Sequence, residues 1–383
     1  MAAHRALPYA EFLSFSVPGQ RWLDFEWLSQ LLFFGAYSSG GFAGLWLVKA
    51  ALLWACWRVF DAALRLNELG VAARAGALVL WAVGALAWSD IRPELFSILL
   101  FSVCLWRLEA VRLERLEPGW GRAWEAAAVF ALWSNLHAGF PFGLALIVVY
   151  AMGEVICGRG RRARALVGAA AAAAAGALAN PYGAGPYRVV WEHVRLREDL
   201  ARYITEWQPV GVANPLHWPF YGLIALAAFS TAARLAGPYE GSAQWRRPVA
   251  WAPILALGYF GVGTLLHARV GAFFGVGAAL LIAIVAEDAR GWPRRLWLVS
   301  VLAAAGFTGW LLPRVYWRGF FNPKHVPAQA AEFMARQEPV LAPLRLFNQW
   351  EWGGYLAWRL KPWYRVFSDG RYIFHELLRE EAR

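Results

Sequence analysis

The sequence predicts an all-α polytopic membrane protein of about ten transmembrane helices, with a small extracytoplasmic C-terminal α+β segment. Three observations carry that expectation. Of the 383 residues, 59% are hydrophobic and only 16% charged, and the mean hydropathy is +0.39. Apolar runs of roughly 17 to 20 residues recur, the length that crosses a hydrocarbon core about 30 Å thick. Arginines collect in alternate short loops between those runs, the asymmetry that orients helices in a bilayer.

The formal charge of +11 would suggest a nucleic-acid partner in a soluble protein. Here the loop placement accounts for the charge, so nucleic acid is not an expected partner. Cys56, Cys104 and Cys157 lie in or beside apolar runs with no CxxC spacing and read as small packing residues. The start, "MAAHRALPYAEFLSF", has no apolar signal region. The 24 tryptophans suit an interfacial belt, although indole also stacks well on sugars.

In order along the chain, "EWLSQLLFFGAYSSGG" is short, partly polar and ends in a glycine pair, which predicts an interfacial helix. Ten spans follow, at about 43–61, 71–89, 93–110, 124–137, 139–157, 164–180, 216–235, 249–266, 270–288 and 296–313. The alanine run "VGAAAAAAAGALA" lies in the sixth; small side chains let helices approach closely, so it reads as a tightly packed span. The loops "WRVFDAALRLNELGVAAR", "WRLEAVRLERLEPGWGR", "GRGRRAR", "ARLAGPYEGSAQWRRP" and "EDARGWPRR" each carry three or more arginines and are assigned to the cytoplasm. Both termini of the chain are then extracytoplasmic, in a multi-pass inner (plasma) membrane protein. Translocating about 40 residues without a preceding apolar segment is awkward, so a further span is expected upstream of Met1.

This divides the chain into a loop remnant and interfacial helix (about 1–42), a transmembrane domain (about 43–313) and a C-terminal module (about 314–383). In the module, "PAQAAEFMARQEP" has helical spacing, and "LRLFNQWEWGGYLAWRLKPWYRVFSDGR" reads as short strands and turns broken by Gly353-Gly354 and Asp369-Gly370.

Signatures of soluble enzymes are absent: no phosphate-binding loop, no HExxH, no nucleophile elbow, no GxGxxG opening a helix. What stands out is the placement of costly polar residues, which gather at span ends on the extracytoplasmic side. Asp90, Arg92 and Glu94 in "WSDIRPELF" read either as an ion pair capping a hairpin or as an acid and a base facing a cavity. Asn135 and His137 in "WSNLHAGF" read as buried hydrogen-bonding groups or as ligand contacts. His267 and Arg269 in "LLHARVG" suit headgroup anchoring or a grip on phosphate, which the planar guanidinium matches well. "NPYG" is first of all a turn, and "ITEWQP" sets Glu206 beside Trp207. Asp24 and Glu26 open the interfacial helix, where acids favour the N-terminal dipole, or belong to a catalytic loop.

Carboxylates able to deprotonate an acceptor, cations able to hold a phosphate leaving group, and aromatic faces able to stack a sugar fit transfer of a sugar from a lipid-phosphate donor. The stretches "LPYAEFLSFSVPGQRWLDFEWLSQLL", "RPELFS", "WSNLHAGFPFG", "NPYG", "EWQP", "FNQWEWGGYLAWRL" and "VFSDGRY" resemble, in order and spacing, the GT-C superfamily of integral membrane glycosyltransferases, and more closely a bacterial and archaeal set within it. The resemblance runs through most of the chain. It implies a catalytic acid in the first extracytoplasmic loop, to whose later part Glu11, Asp24 and Glu26 would belong; the acid expected near the end of a first helix is not in this sequence.

The expected activity is therefore an inverting GT-C glycosyltransferase using a polyprenyl-phosphate sugar donor and a glycan, lipid or protein acceptor. Its catalytic residues would be Glu26 or Asp24, with Asp90 as a second acid or the neighbour of a divalent metal. Arg92, His267 and Arg269 would grip phosphate; Asn135, His137, Glu206 and Trp207 would position the substrates. Trp350, Trp352, Tyr355, Asp369 and Arg371 would shape acceptor binding. Two rivals remain: a transporter or lipid flippase, for which Lys49 inside a span is the pertinent residue, and a non-catalytic membrane assembly partner.

Overall fold

The computed structural model describes residues 7–85, 90–116, 120–235, 250–288, 292–315 and 326–377. The chain forms two compact units. One, the helical unit, comprises Phe25–Arg188 and Thr205–Leu311; the other, the terminal unit, comprises Met1–Asp24, Val189–Ile204 and Leu312–Arg383. The basic segments at 236–249 and 289–291, the span end at 86–89 and residues 316–325 lie outside the described residues.

Among the described residues each apolar run read as a span falls mainly on a helix. These are α1 (Trp27–Leu66), α2 (Val71–Ala85), α3 (Glu94–Arg112), α4 (Trp120–Leu136), α5 (Phe140–Ile156), α6 (Gly160–Gly176), α9 (Trp218–Leu235), α10 (Trp251–Leu266), α11 (Gly271–Asp288) and α12 (Trp292–Val315). Two short helices, α7 (Gly185–Arg195) and α8 (Arg197–Tyr203), interrupt the series after α6. Trp27–Leu66 and Pro215–Leu235 are long and apolar enough to cross a membrane; Val71–Ala85, Phe140–Ile156, Trp251–Leu266, Ala268–Ile284 and Arg295–Leu311 are shorter apolar helices. α1 is two helices meeting at Gly41, whose φ of 57° and ψ of −142° only glycine adopts without strain. The glycine pair thus ends the first piece, as the sequence indicated.

α11 packs on α2, α9 and α10, and α5 packs on α3, α6 and α10. Ala272, Phe273, Phe274 and Val276 through Leu281 are buried except at Gly277, so α11 has no solvent face over that length, as expected of a helix hydrophobic all round. The alanine-rich α6 lies close against α4: a Cβ on Gly176 would sit 2.6 Å from Ala127 Cα. That is the close approach that small residues permit.

One expectation needs correction. Costly polar residues do not gather at one end of the helices. Asp61, Glu109 and Glu154 are buried at the end that carries the basic loops. Glu109 accepts from Arg112 Nε (2.8 Å) and Nη2 (2.7 Å), Asn67 Nδ2 (2.8 Å) and Tyr150 Oη (2.8 Å). Glu154 takes both a 2.6 Å and a 3.0 Å bond from Arg159, and Asp61 pairs with Arg65 and Arg74. Sequence reading saw the arginines of these loops as orientation signals; several are also the counter-ions of buried acids.

In the terminal unit, α13 (Ala328–Arg336), α14 (Glu338–Leu341) and α15 (Trp350–Leu360) are followed by a 3-10 turn, Tyr372–Leu377. Ala331, Leu356, Leu360, Tyr364 and Val366 make one core, and Trp22, Ile373 and Phe374 a second. The N-terminal segment joins this unit directly: Ser14 and Leu346 each bridge to Val366, and Ala10 bridges to Arg21. Among the described residues these isolated bridges stand where short strands were expected, and "WEWGGYLAWRL" is a helix. Gly353 and Gly354 do not break it. A Cβ on Gly353 would overlap the Ser368 carbonyl oxygen and lie 2.7 Å from Asp369 Cα, so the glycine is there for close approach.

Candidate functional site

Three turns of the helical unit converge. Pro93 is the N-cap of α3, which places Arg92 just before the helix and Glu94 at its first position. The 3-10 turn Thr205–Trp207 brings Glu206 and Trp207, and the 3-10 turn Ala268–Val270 brings Arg269 with His267 at its cap. These two turns are tied together: His267 Nδ1 lies 2.8 Å from the Trp207 carbonyl and Ala268 N–H donates to the Gln208 carbonyl at 2.9 Å. Arg92 donates to Glu206 in an ion pair. Desolvation acts to lower the Arg92 pKa, but the Glu206 carboxylate outweighs it, with help from Asp90 and Glu94, and leaves it raised. The Arg269 guanidinium sits 5.7 Å from the centre of the Trp207 ring, a cation–π distance.

Glu94 is buried within this group and interacts electrostatically with Arg269, Glu206 and Arg92. Its Oε1 has no hydrogen-bond partner among the described residues. A buried carboxylate oxygen left without a donor is uncommon and calls for an explanation. Asp90, the acid the sequence favoured here, is exposed, and its carbonyl accepts from Arg92 N–H. Glu94, which the sequence grouped with Asp90 and Arg92 without giving it a role of its own, is the buried acid that interacts with both Arg92 and Arg269.

One turn along α3 from Glu94 lies Ser97, on the same helix face. Ser97 Oγ accepts from Trp133 Nε1 at 2.7 Å and lies 2.6 Å from His137 Nδ1. The same Nδ1 accepts from Gly139 N–H at 3.1 Å. With Nδ1 an acceptor and the Ser97 hydroxyl proton directed at it, the proton of the neutral imidazole belongs on Nε2. Nε2 is 3.5 Å from Glu26 Oε1. The Glu26 side chain is 26% exposed and that of His137 only 6%, so the carboxylate is reachable from outside while the ring behind it is fixed. Gly139 has no room for a Cβ, which would overlap Ser97 Oγ.

Asn135 serves the fold. It accepts from Trp27 Nε1 (2.8 Å) and donates to the Ala131 (2.7 Å) and Ala179 (2.8 Å) carbonyls. Asn180 of the "NPYG" turn donates to the Ser134 carbonyl at 3.0 Å, locking α4 to the end of α6. Trp27, Leu28, Leu132, Leu178 and Pro181 frame an open groove of about 620 Å³ beside this knot. Among the described residues no group of three or more His, Cys, Asp or Glu side chains is placed to hold a metal ion.

Asp24, Trp352, Asp369 and Arg371 belong to the terminal unit. Arg371 takes Asp369 through Nε (2.8 and 2.9 Å) and Nη2 (2.7 Å), pairs with Glu11, and lies 4.7 Å from the Trp22 ring centre. Desolvation acts against its charge, and Asp369 with Glu11 more than offsets that, so its pKa is raised. Trp352 packs on the core around Leu356. Asp24 is buried. Trp352, Asp369 and Arg371 are engaged in building the unit. Ser97 closes the stretch "RPELFS" and Trp133 opens "WSNLHAGFPFG", but neither residue was given a role from the sequence; only the fold brings them to His137.

Set against models of protein families, against curated proteins and against solved structures, the chain gives no match.

Proposed function

We propose that the chain is a membrane glycosyltransferase of the GT-C type, moving a sugar from a polyprenyl-phosphate donor to an acceptor on the extracytoplasmic face, with ten membrane-crossing helices. The reading is supported above all by the convergence of Arg92, Glu94, Glu206, His267 and Arg269 from three turns far apart in the sequence. Two guanidinium groups beside a carboxylate with an unpaired oxygen suit a phosphate leaving group and a bound hydroxyl better than they suit a closed salt-bridge network.

In the proposed reaction an acceptor hydroxyl or amine attacks the anomeric carbon. Glu26 takes the acceptor proton, a role worth typically 10²–10⁴-fold. His137 stands behind Glu26 with Nε2 3.5 Å from its Oε1, and Ser97 with Gly139 N–H fixes the ring. The bond between the anomeric carbon and the phosphate oxygen breaks, and the polyprenyl phosphate leaves with its charge facing Arg92 and Arg269. The test is release of polyprenyl phosphate by purified full-length protein given a sugar-loaded polyprenyl-phosphate donor. Arg269→Ala is expected to abolish release and Arg269→Lys to restore part of it; equal turnover in both variants and the parent would remove this site.

The transporter reading retains one observation. Lys49, about two turns past the Gly41 break in α1, is buried with its Nζ 4.9 Å from the Trp46 ring centre. A buried cation within an apolar helix can mark a translocation path. Loss of substrate flux in Lys49→Met with sugar transfer absent from the parent protein would favour it.

A further inference from the structure

A second cavity, of about 320 Å³, lies between α3, α4, α5 and α6, toward the end that carries the basic loops. Val103, Leu108, Phe130, Ile147, Leu166 and Ala169 form its walls. The charged groups in its lining are Arg107 and Glu125, which pair with each other and leave no net charge. Arg107 also lies over Trp106, at 5.8 Å from the ring centre. Such a space suits hydrocarbon and repels a polar metabolite. Glu94 and Leu108 are 14 residues apart on α3, so the cavity is roughly 20 Å along the helix from the Glu94 cluster. It belongs to neither the donor nor the acceptor of the proposed reaction.

Two arginines stand one helical turn from the lining. Arg161 and Arg162, in the first turn of α6, stand one turn before Ala165 and Leu166, which line the cavity, and so on the same helix face. Arg161 is exposed. Arg162 uses Nη2 on Glu114 at 3.0 Å, while its buried Nη1 has no hydrogen-bond partner among the described residues. A guanidinium N–H held without an acceptor next to an apolar slot is what a phosphate ester with a hydrocarbon tail would satisfy. Basic pockets between membrane helices on the cytoplasmic side recognise anionic headgroups in this way.

We infer that this cavity holds one acyl chain of an anionic phospholipid, whose phosphate is bound by Arg161 and Arg162. The inference rests on the membrane reading above and not on the glycosyltransferase chemistry. The experiment is native mass spectrometry of delipidated full-length protein in detergent, titrated with phosphatidylglycerol or with phosphatidylcholine of the same chains. One equivalent of phosphatidylglycerol is expected to bind about 25-fold more tightly than phosphatidylcholine, the preference two arginines confer. Arg161→Gln with Arg162→Gln removes the preference, and Ala169→Trp removes the adduct by filling the slot. Equal binding of both lipids, or a phosphatidylglycerol adduct that survives both sets of changes, overturns the site, as does displacement of the lipid by inorganic phosphate alone. A melting-temperature shift of the parent protein with phosphatidylglycerol and not with phosphatidylcholine reports the same preference without a variant. Release of the protein from membranes by alkaline carbonate would instead defeat the membrane reading; retention without lipid preference defeats only this site.

Discussion

Both ends of the helical unit bury carboxylates, and they use them in opposite ways. At Glu109 both oxygens are fully engaged, by Arg112, Asn67 and Tyr150, in a place no solvent reaches. At the other end of α3, Glu94 keeps an oxygen without a donor among the described residues, and nearby Glu26 is a quarter exposed with a fixed histidine behind it. A closed network of this kind specifies how helices meet; an open one leaves hydrogen-bonding capacity for something that arrives. Glu109 and Glu94, on one helix, thus differ in how completely they are satisfied, the first by four donors and the second with one oxygen open.

That contrast can be broken by substitution. Glu26→Gln keeps the shape and removes the base, so sugar transfer should fall by 10²–10⁴-fold, a barrier increase of about 2.7–5.5 kcal/mol, with no loss of melting temperature. Glu109→Ala strands Arg112 in the interior and should cost about 3–5 kcal/mol of stability, read by denaturation in detergent. Replacing both Glu109 and Arg112 by Leu should recover most of it, because the uncompensated charge is then gone. In the terminal unit, Gly353→Ala forces α15 off the Ser368 carbonyl and should cost about 1–3 kcal/mol. The smallest effect belongs to Arg92→Ala: its side chain is 53% exposed, so the stability change should stay below about 1 kcal/mol whatever happens to turnover.

The helices were legible because apolar length is a one-dimensional signal. So was the break at Gly41, where the backbone geometry demands glycine. The turns that carry Arg92, Glu206, Trp207, His267 and Arg269 were legible as oddities, since each sets charge or an aromatic ring at a helix end. Their meeting was not, because nothing in "EWQP" says which other turn it will face. Gly353-Gly354 misled for a related reason: a glycine that breaks a helix and one that admits a neighbouring carbonyl look the same in sequence. Glu109 and Glu154 were not legible because they sit among arginines whose placement the orientation of the helices already explains. Burial separates those uses, and burial is a property of the fold.

The most direct test of this division compares Glu26→Gln with Glu109→Gln in the same detergent, measuring melting temperature and polyprenyl phosphate released per folded molecule. Glu26→Gln is expected to melt like the parent and turn over at least about 100-fold more slowly, while Glu109→Gln melts lower and keeps the parent's turnover per folded molecule. Normal turnover in Glu26→Gln, or loss of turnover in fully folded Glu109→Gln, would contradict the division of these acids into chemistry and structure.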